Sequence, residues 1–165
     1  MPADDLILRN LRECPEQSPI VADRVWCAWW QAKGTPLSFI EDRTHEALKS
    51  SGIPFTLVAT IDGVFAGTAS VIENDLSVRP ALTPWVAAVW VEAPFREQGV
   101  ATSLLNKAVS EAEAMGHPSL YLCAKPEKGP FYRRRGWRVL EKEVDPEKVW
   151  VLRHPPTDFM LEDKA

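Results

Sequence analysis

The chain has few cysteines: three in 165 residues, Cys14, Cys27 and Cys123. They are odd in number, widely spaced and form no Cys-x-x-Cys, which argues against a disulfide framework and fits a reducing cytoplasm. Histidine is as scarce and as scattered, at His45, His117 and His154, with no ligand spacing, so no metal is expected. Positive charge is not in excess. The net charge of −4 gives the whole chain no pull toward nucleic acid or an acidic membrane surface, and neither is expected as a partner. No apolar run approaches the roughly 18 residues of a membrane span, and the acidic start Met1-Pro2-Ala3-Asp4-Asp5 lacks the apolar segment of a signal peptide. Among the eight glycines there is neither a G-x-x-x-x-G-K-[ST] nor a G-x-G-x-x-G. That excludes a P-loop lysine with its magnesium-binding hydroxyl, and the dinucleotide fingerprint.

What is present is ordinary for a soluble globular protein: 45% hydrophobic and 25% charged residues. The length suits a single domain burying about two thirds of its unfolded surface, expected over residues 1–154 with a loose tail at 155–165. Residues 6–9 read as a strand. Residues 20–33 place Val21, Val25, Trp26, Trp29 and Trp30 at helical spacing up to a stop at Gly34. A second helix is predicted over 38–50. Two strand-like runs, 55–61 and 64–72, flank Asp62-Gly63, the signal of a hairpin with a type I′ turn. A polar, proline-marked loop at 74–83 leads to a strand over 85–91. A helix at 101–115 carries the apolar stripe Leu104, Leu105, Ala108, Val109, Ala112 and closes at Gly116. A strand at 119–124, a short helix at 129–135 and a strand pair at 137–144 and 149–153 complete the order β-α-α-β-β-β-α-β-α-β-β. That order implies an α/β (α+β) fold with a mixed sheet and helices on both faces.

Between the strand at 85–91 and the helix lies Arg96-Glu97-Gln98-Gly99-Val100-Ala101. A glycine turn that opens a helix directs backbone N–H groups, here those of about Gln98 to Thr102, toward an anion at the positive helix end. The hexapeptide fits [RQ]-x-x-G-x-[GA], and Phe131-Tyr132-Arg133-Arg134-Arg135-Gly136-Trp137 is similar to an "FYxxxGF" segment. Together they resemble the GNAT superfamily of N-acetyltransferases, and residues 82–91 look like the strand that precedes its acyl-CoA loop. The sequence departs at Glu97, where glycine is common, and at Ala93, where proline is common and Pro94 follows instead.

The resemblance implies a mostly antiparallel sheet of six to seven strands, and direct acetyl transfer from acetyl-CoA to a primary amine, here of a small molecule. A protein amine, or a non-catalytic acyl-CoA-sensing role, stands as the alternative. Arg96, Gln98, Gly99, Val100, Ala101 and Thr102 are the implied diphosphate cradle. Val89 and Val91 offer backbone groups to pantetheine, with an oxyanion donor near Val91. Tyr132, beside the cofactor, is the implied acid for the departing thiolate. An aliphatic ammonium has a pKa of about 10 and must be deprotonated. Glu73, Asp75 and Glu92 are the candidate bases, and each could equally be a solvated surface acid. Arg133, Arg134 and Arg135, with Lys125 and Lys128, either reach coenzyme phosphates or form a solvated face. Trp26, Trp29, Trp30 and Trp85 suit core packing, with an acceptor wall as the other reading. The family also leaves a homodimer open.

Overall fold

The computed structural model describes residues 5–49 and 51–155. Ser50, the expected end of the second helix, and the expected tail from residue 156 onward lie outside the described residues. Among the described residues, seven strands form one sheet: β1 (Leu6–Asn10), β2 (Phe55–Ile61), β3 (Val64–Ile72), β4 (Trp85–Val91), β5 (Leu120–Ala124), β6 (Arg138–Val144) and β7 (Val149–His154). Their spatial order is β1-β2-β3-β4-β5-β7-β6. Every neighbouring pair is antiparallel except β4 and β5. The β2–β3 turn has Asp62 at φ 52° and Gly63 at φ 79°, the two positive dihedrals of a type I′ turn.

Among the described residues, four α-helices cover the sheet: α1 (Ser18–Val25), α2 (Leu37–Lys49), α3 (Val100–Ala114) and α4 (Gly129–Arg133). Alternation along the strands assigns the faces. On one face Leu57, Ala59, Ala69 and Val86 pack against Val100, Leu104, Leu105, Ala108 and Ala112 of α3. On the other, Val58 and Phe65 pack against Leu11 and Val21 of the α1 layer. A third cluster, Leu76, Trp85, Val144, Val149 and Val151, fills the sheet beside the 74–83 loop.

The layer ahead of β2 is tied by polar contacts. Asn10 and Glu13 form a reciprocal cap at the end of β1, with Asn10 Oδ1 accepting from Arg12 N and Glu13 Oε1 accepting from Asn10 N. Arg12 then donates to the carbonyls of Ala47, Gly52 and Pro54, capping the C-terminal end of α2 and fixing it to the start of β2. The predicted helix over 20–33 is not uniform. After Val25 it widens into a π-helical turn, Trp26–Trp30, tightens into a 3-10 turn, Gln31–Lys33, and stops at Gly34 with φ 79°. The extra residue of such a turn rotates the following side chains around the axis. As a result Trp26 and Trp30 are half-buried and Trp29 is exposed rather than in the core. Trp85, by contrast, is fully buried.

Candidate active site

The parallel pair β4 and β5 opens along its length. At the N-terminal end of β4, Trp85 pairs with Tyr121 and the Tyr121 N–H donates to Pro84 O at 3.0 Å. Among the described residues, the two strands share no further ladder pair. The departure coincides with a bulge. Ser70 pairs with Ala87 and Thr68 with Trp90, so Val89 and Ala88 together face Ala69, and Ala88 sits at φ 55°. One extra residue reverses the alternation downstream. Val86 faces α3 before the bulge, and Val89 and Val91 face it afterwards, while Trp90 turns to the α1 side. The β4 backbone beyond the bulge therefore borders a gap in the sheet rather than a partner strand.

At the end of that gap α3 begins. After a short turn at Ala93–Phe95, Glu97 takes φ 63° and Gly99 takes φ 82°. Both lie in the left-handed region that glycine adopts at no steric cost, so the glycine common at the Glu97 position has a conformational reason. The first intrahelical bond is Ser103 N to Gly99 O at 3.0 Å. The N–H groups of Val100, Ala101 and Thr102 thus precede the helical ladder and supply the positive helix end. Nothing lies within 4 Å of where a Gly99 Cβ would stand, so the space over the turn is open. The neighbouring side chains brace the loop: Arg96 Nε donates to Val91 O at 2.8 Å, and Gln98 Nε2 to Pro94 O at 3.1 Å. Arg135, from the segment after α4, donates to Thr102 Oγ1 at 2.7 Å and lies over the Phe131 ring. That contact brings a guanidinium to the first turn of α3.

Two further candidate residues meet at β5. Tyr132 on α4 stands edge-on to Phe131. Burial pushes its hydroxyl above the usual phenol range; proximity to Cys123 adds to this and Arg135 opposes it. Asp75, in the loop after β3, accepts a hydrogen bond from the Cys123 thiol, Sγ to Oδ2 at 3.3 Å. Asp75 is exposed as a residue, yet its carboxyl end is crowded by protein, and that desolvation pushes its pKa up to about 6. The Cys123 thiol is raised as well, first by burial and then by Asp75, so it keeps its proton.

A sequence profile described as Acetyltransferase (GNAT) domain matches residues 22–140. The chain belongs to the GNAT family. Its fold is shared with a GNAT-family acetyltransferase from Streptococcus pneumoniae, at 14% identity over 90% of this chain and 97% of that one, TM-score 0.66. It is shared too with aminoglycoside 6'-acetyltransferase type Ii, at 15% identity over 92% and 97% of the two chains, TM-score 0.69. A third match is an aminoglycoside 6'-N-acetyltransferase complexed with coenzyme A, at 13% identity over 89% and 95%, TM-score 0.69. At such identities the likeness is one of fold. No curated protein sequence matches the chain.

Within this GNAT chain the three candidate carboxylates are in different situations. Glu73 is exposed. Glu92 is engaged: Arg24 Nε bridges both its carboxylate oxygens at 3.0 Å, and Trp90 Nε1 donates to Oε2 at 2.7 Å. Arg24 also pairs with its neighbour Asp23, so this cluster ties α1 to the end of β4. Among the described residues, Asp75 is the one of the three that hydrogen-bonds to β5. The Cys123 and Arg24 contacts were not legible in the sequence, because they join residues 48 and 68 positions apart with no motif linking them. Among the described residues, no group of acidic, histidine and cysteine side chains could hold a metal ion, and no helix is long and apolar enough to cross a membrane.

Proposed function

We propose that this chain transfers the acetyl group of acetyl-CoA directly to a primary amine of a small molecule, with residues 1–154 acting as one catalytic domain. One observation carries the reading: the bulged end of β4, without a ladder partner on its β5 side, runs into an α3 N-terminus whose first amides precede the helical ladder, with open space over Gly99. The Val100, Ala101 and Thr102 N–H groups, with Gln98 and Gly99, suit a coenzyme diphosphate. Arg96 holds the loop to β4 from behind. Val89 and Val91 would offer main-chain groups to the pantetheine arm, and an N–H near Val91 the oxyanion.

The acetyl transfer proceeds in balanced steps. Asp75 takes one proton from the substrate ammonium, and the free amine attacks the thioester carbon to form the C–N bond. The oxyanion then collapses, the C–S bond breaks, and Tyr132 gives the thiolate its proton. Tyr132 recovers a proton from the acetylated nitrogen, so one proton in total leaves to solvent. A base works best with a pKa near the working pH. This suits Asp75, raised to about 6 and in contact with β5 through Cys123. The structural likeness to two aminoglycoside acetyltransferases supports a small amine-bearing acceptor.

The test is thermal denaturation with acetyl-CoA, followed by thiol release against a panel of small amines, aminoglycosides included. Saturation at about 100 times Kd stabilises by about 2.7 kcal/mol, a readily measured rise in Tm. Stabilisation with release on at least one amine is expected. No rise at millimolar acetyl-CoA would overturn the reading, and a rise without turnover on any amine would turn it into a sensor.

A further inference from the structure

We infer that Cys123 is a positioning residue for this acetyl transfer: its thiol, reaching from β5, holds the Asp75 carboxylate beside that strand and so selects Asp75 over Glu73 as the proton acceptor. The inference rests on the acetyl-transfer reading above.

Asp75 lies in a loop, outside any strand or helix, so the sheet does not orient it. Its backbone neighbour Leu76 is 7% exposed and anchors the loop in the cluster of Trp85, Val144, Val149 and Val151. Cys123 packs against that same cluster, because alternation along β5 puts Tyr121 and Cys123 on one face and Leu120, Leu122 and Ala124 on the other. The anchored loop and the strand thus converge, and the 3.3 Å contact from Sγ to Oδ2 closes the arrangement. Glu73, two residues earlier, is exposed and has no hydrogen-bond or ion-pair partner among the described residues.

The identity of the donor matters. A thiol is a weak, neutral donor, whereas an arginine would form a strong charge-assisted pair. Glu92 is in the latter situation, with Arg24 on both oxygens. Cys123 orients Asp75 while leaving it able to accept a proton. The groups around the thiol keep it neutral: Asp75 from the loop and Asp145 from the β6–β7 turn both oppose its ionisation. Tyr132, from α4, lies within electrostatic reach of the same sulfur that donates to Asp75.

Two measurements test this. In pH profiles of kcat/KM for an amine substrate, Cys123→Ala is expected to move the acid limb upward from about pH 6, because the lost hydrogen bond had favoured the carboxylate. Its kcat should fall by about 3- to 10-fold with KM for acetyl-CoA unchanged. Cys123→Ser, which restores a donor, should keep the wild-type limb. A wild-type profile in Cys123→Ala, or an equal loss in Cys123→Ser, would overturn the role. The second measurement needs no activity. Alkylation of Cys123 by iodoacetamide, followed by peptide mass spectrometry, should be faster in Asp75→Asn than in wild type, because a negative neighbour is gone. Equal rates would refute the contact even where every amine is inert, so failure of this inference is separable from failure of the acetyl-transfer reading.

Discussion

Strand β4 has two ends that behave differently. At Trp85 it is paired on both sides, to Ile72 of β3 and to Tyr121 of β5; the indole is 0% exposed and donates to Leu82 O at 2.6 Å. At Val91 it is paired to Gly67 of β3 alone, downstream of a bulge. Six residues apart, one end serves packing and the other presents main chain to the gap. The contrast shows how a buried sheet can expose polar backbone without unravelling: the closed end, the β3 pairing and the α3 cluster hold the strand, so its far end can remain without a partner on the β5 side.

The closed end should be the costlier to disturb. Trp85→Ala removes the largest fully buried side chain and leaves Leu76, Val144, Val149 and Val151 around a cavity. A loss of about 3–5 kcal/mol is expected, read from urea denaturation. A loss below 1 kcal/mol would mean that the two ends do not differ.

Tyr132→Phe should act in the opposite way, on chemistry rather than on stability. Turnover is expected to fall by about 10²- to 10⁴-fold, with the acetyl-CoA-induced rise in Tm retained. Unchanged turnover would remove Tyr132 from the mechanism and leave the open end a binding cleft only.

Gly67→Ala probes the open end from β3. A Cβ there would stand 2.7 Å from Trp90 O and 3.3 Å from the side chains of Leu104 and Val100. The close contact is with backbone, so β4 must shift, at about 1–3 kcal/mol. Because the shift falls at the bulge, acetyl-CoA stabilisation should weaken as well. An unaltered acetyl-CoA response would show that the geometry of β4 at this point is not what the coenzyme reads.

Most of this contrast follows from local sequence rules, but the site does not. The element order, the Asp62-Gly63 turn, β4 and the α3 start were legible because each rests on neighbours in the chain: a period of two, a glycine at positive φ, an apolar stripe. The bulge at Ala88 was not, since 85–91 is a run of apolar residues whose alternation carries no register. The π-helical turn at Trp26–Trp30 escaped for a related reason. Three tryptophans at helical spacing read as core, and one inserted residue was enough to turn Trp29 outward. The Asp75–Cys123 and Glu92–Arg24 contacts depend on which loops the folded sheet brings together, and no local pattern encodes that.

The smallest effect expected is also the one that joins the two ends. Burial raises Asp75 from 3.8 to about 6, which means that the folded protein disfavours the charged carboxylate. Any stability linked to this group is therefore present in full below about pH 4 and is lost as pH rises through about 6. Asp75→Asn cannot ionise and escapes that loss. Relative to wild type it should gain nothing at pH 4 and a small amount at pH 8; with the residue as a whole exposed and only its carboxyl end crowded, a Tm difference of about 1–2 °C is the expectation. Over the same range its amine acetylation should fall by at least about tenfold, as a base is removed. A gain in stability at the pH where activity is lost is what a carboxylate kept for chemistry would produce. Equal Tm differences at pH 4 and pH 8 would show the carboxyl to be fully solvated. In that case Asp75 would stand no nearer to catalysis than Glu73, and the packed end of β4 would have no part in orienting the base.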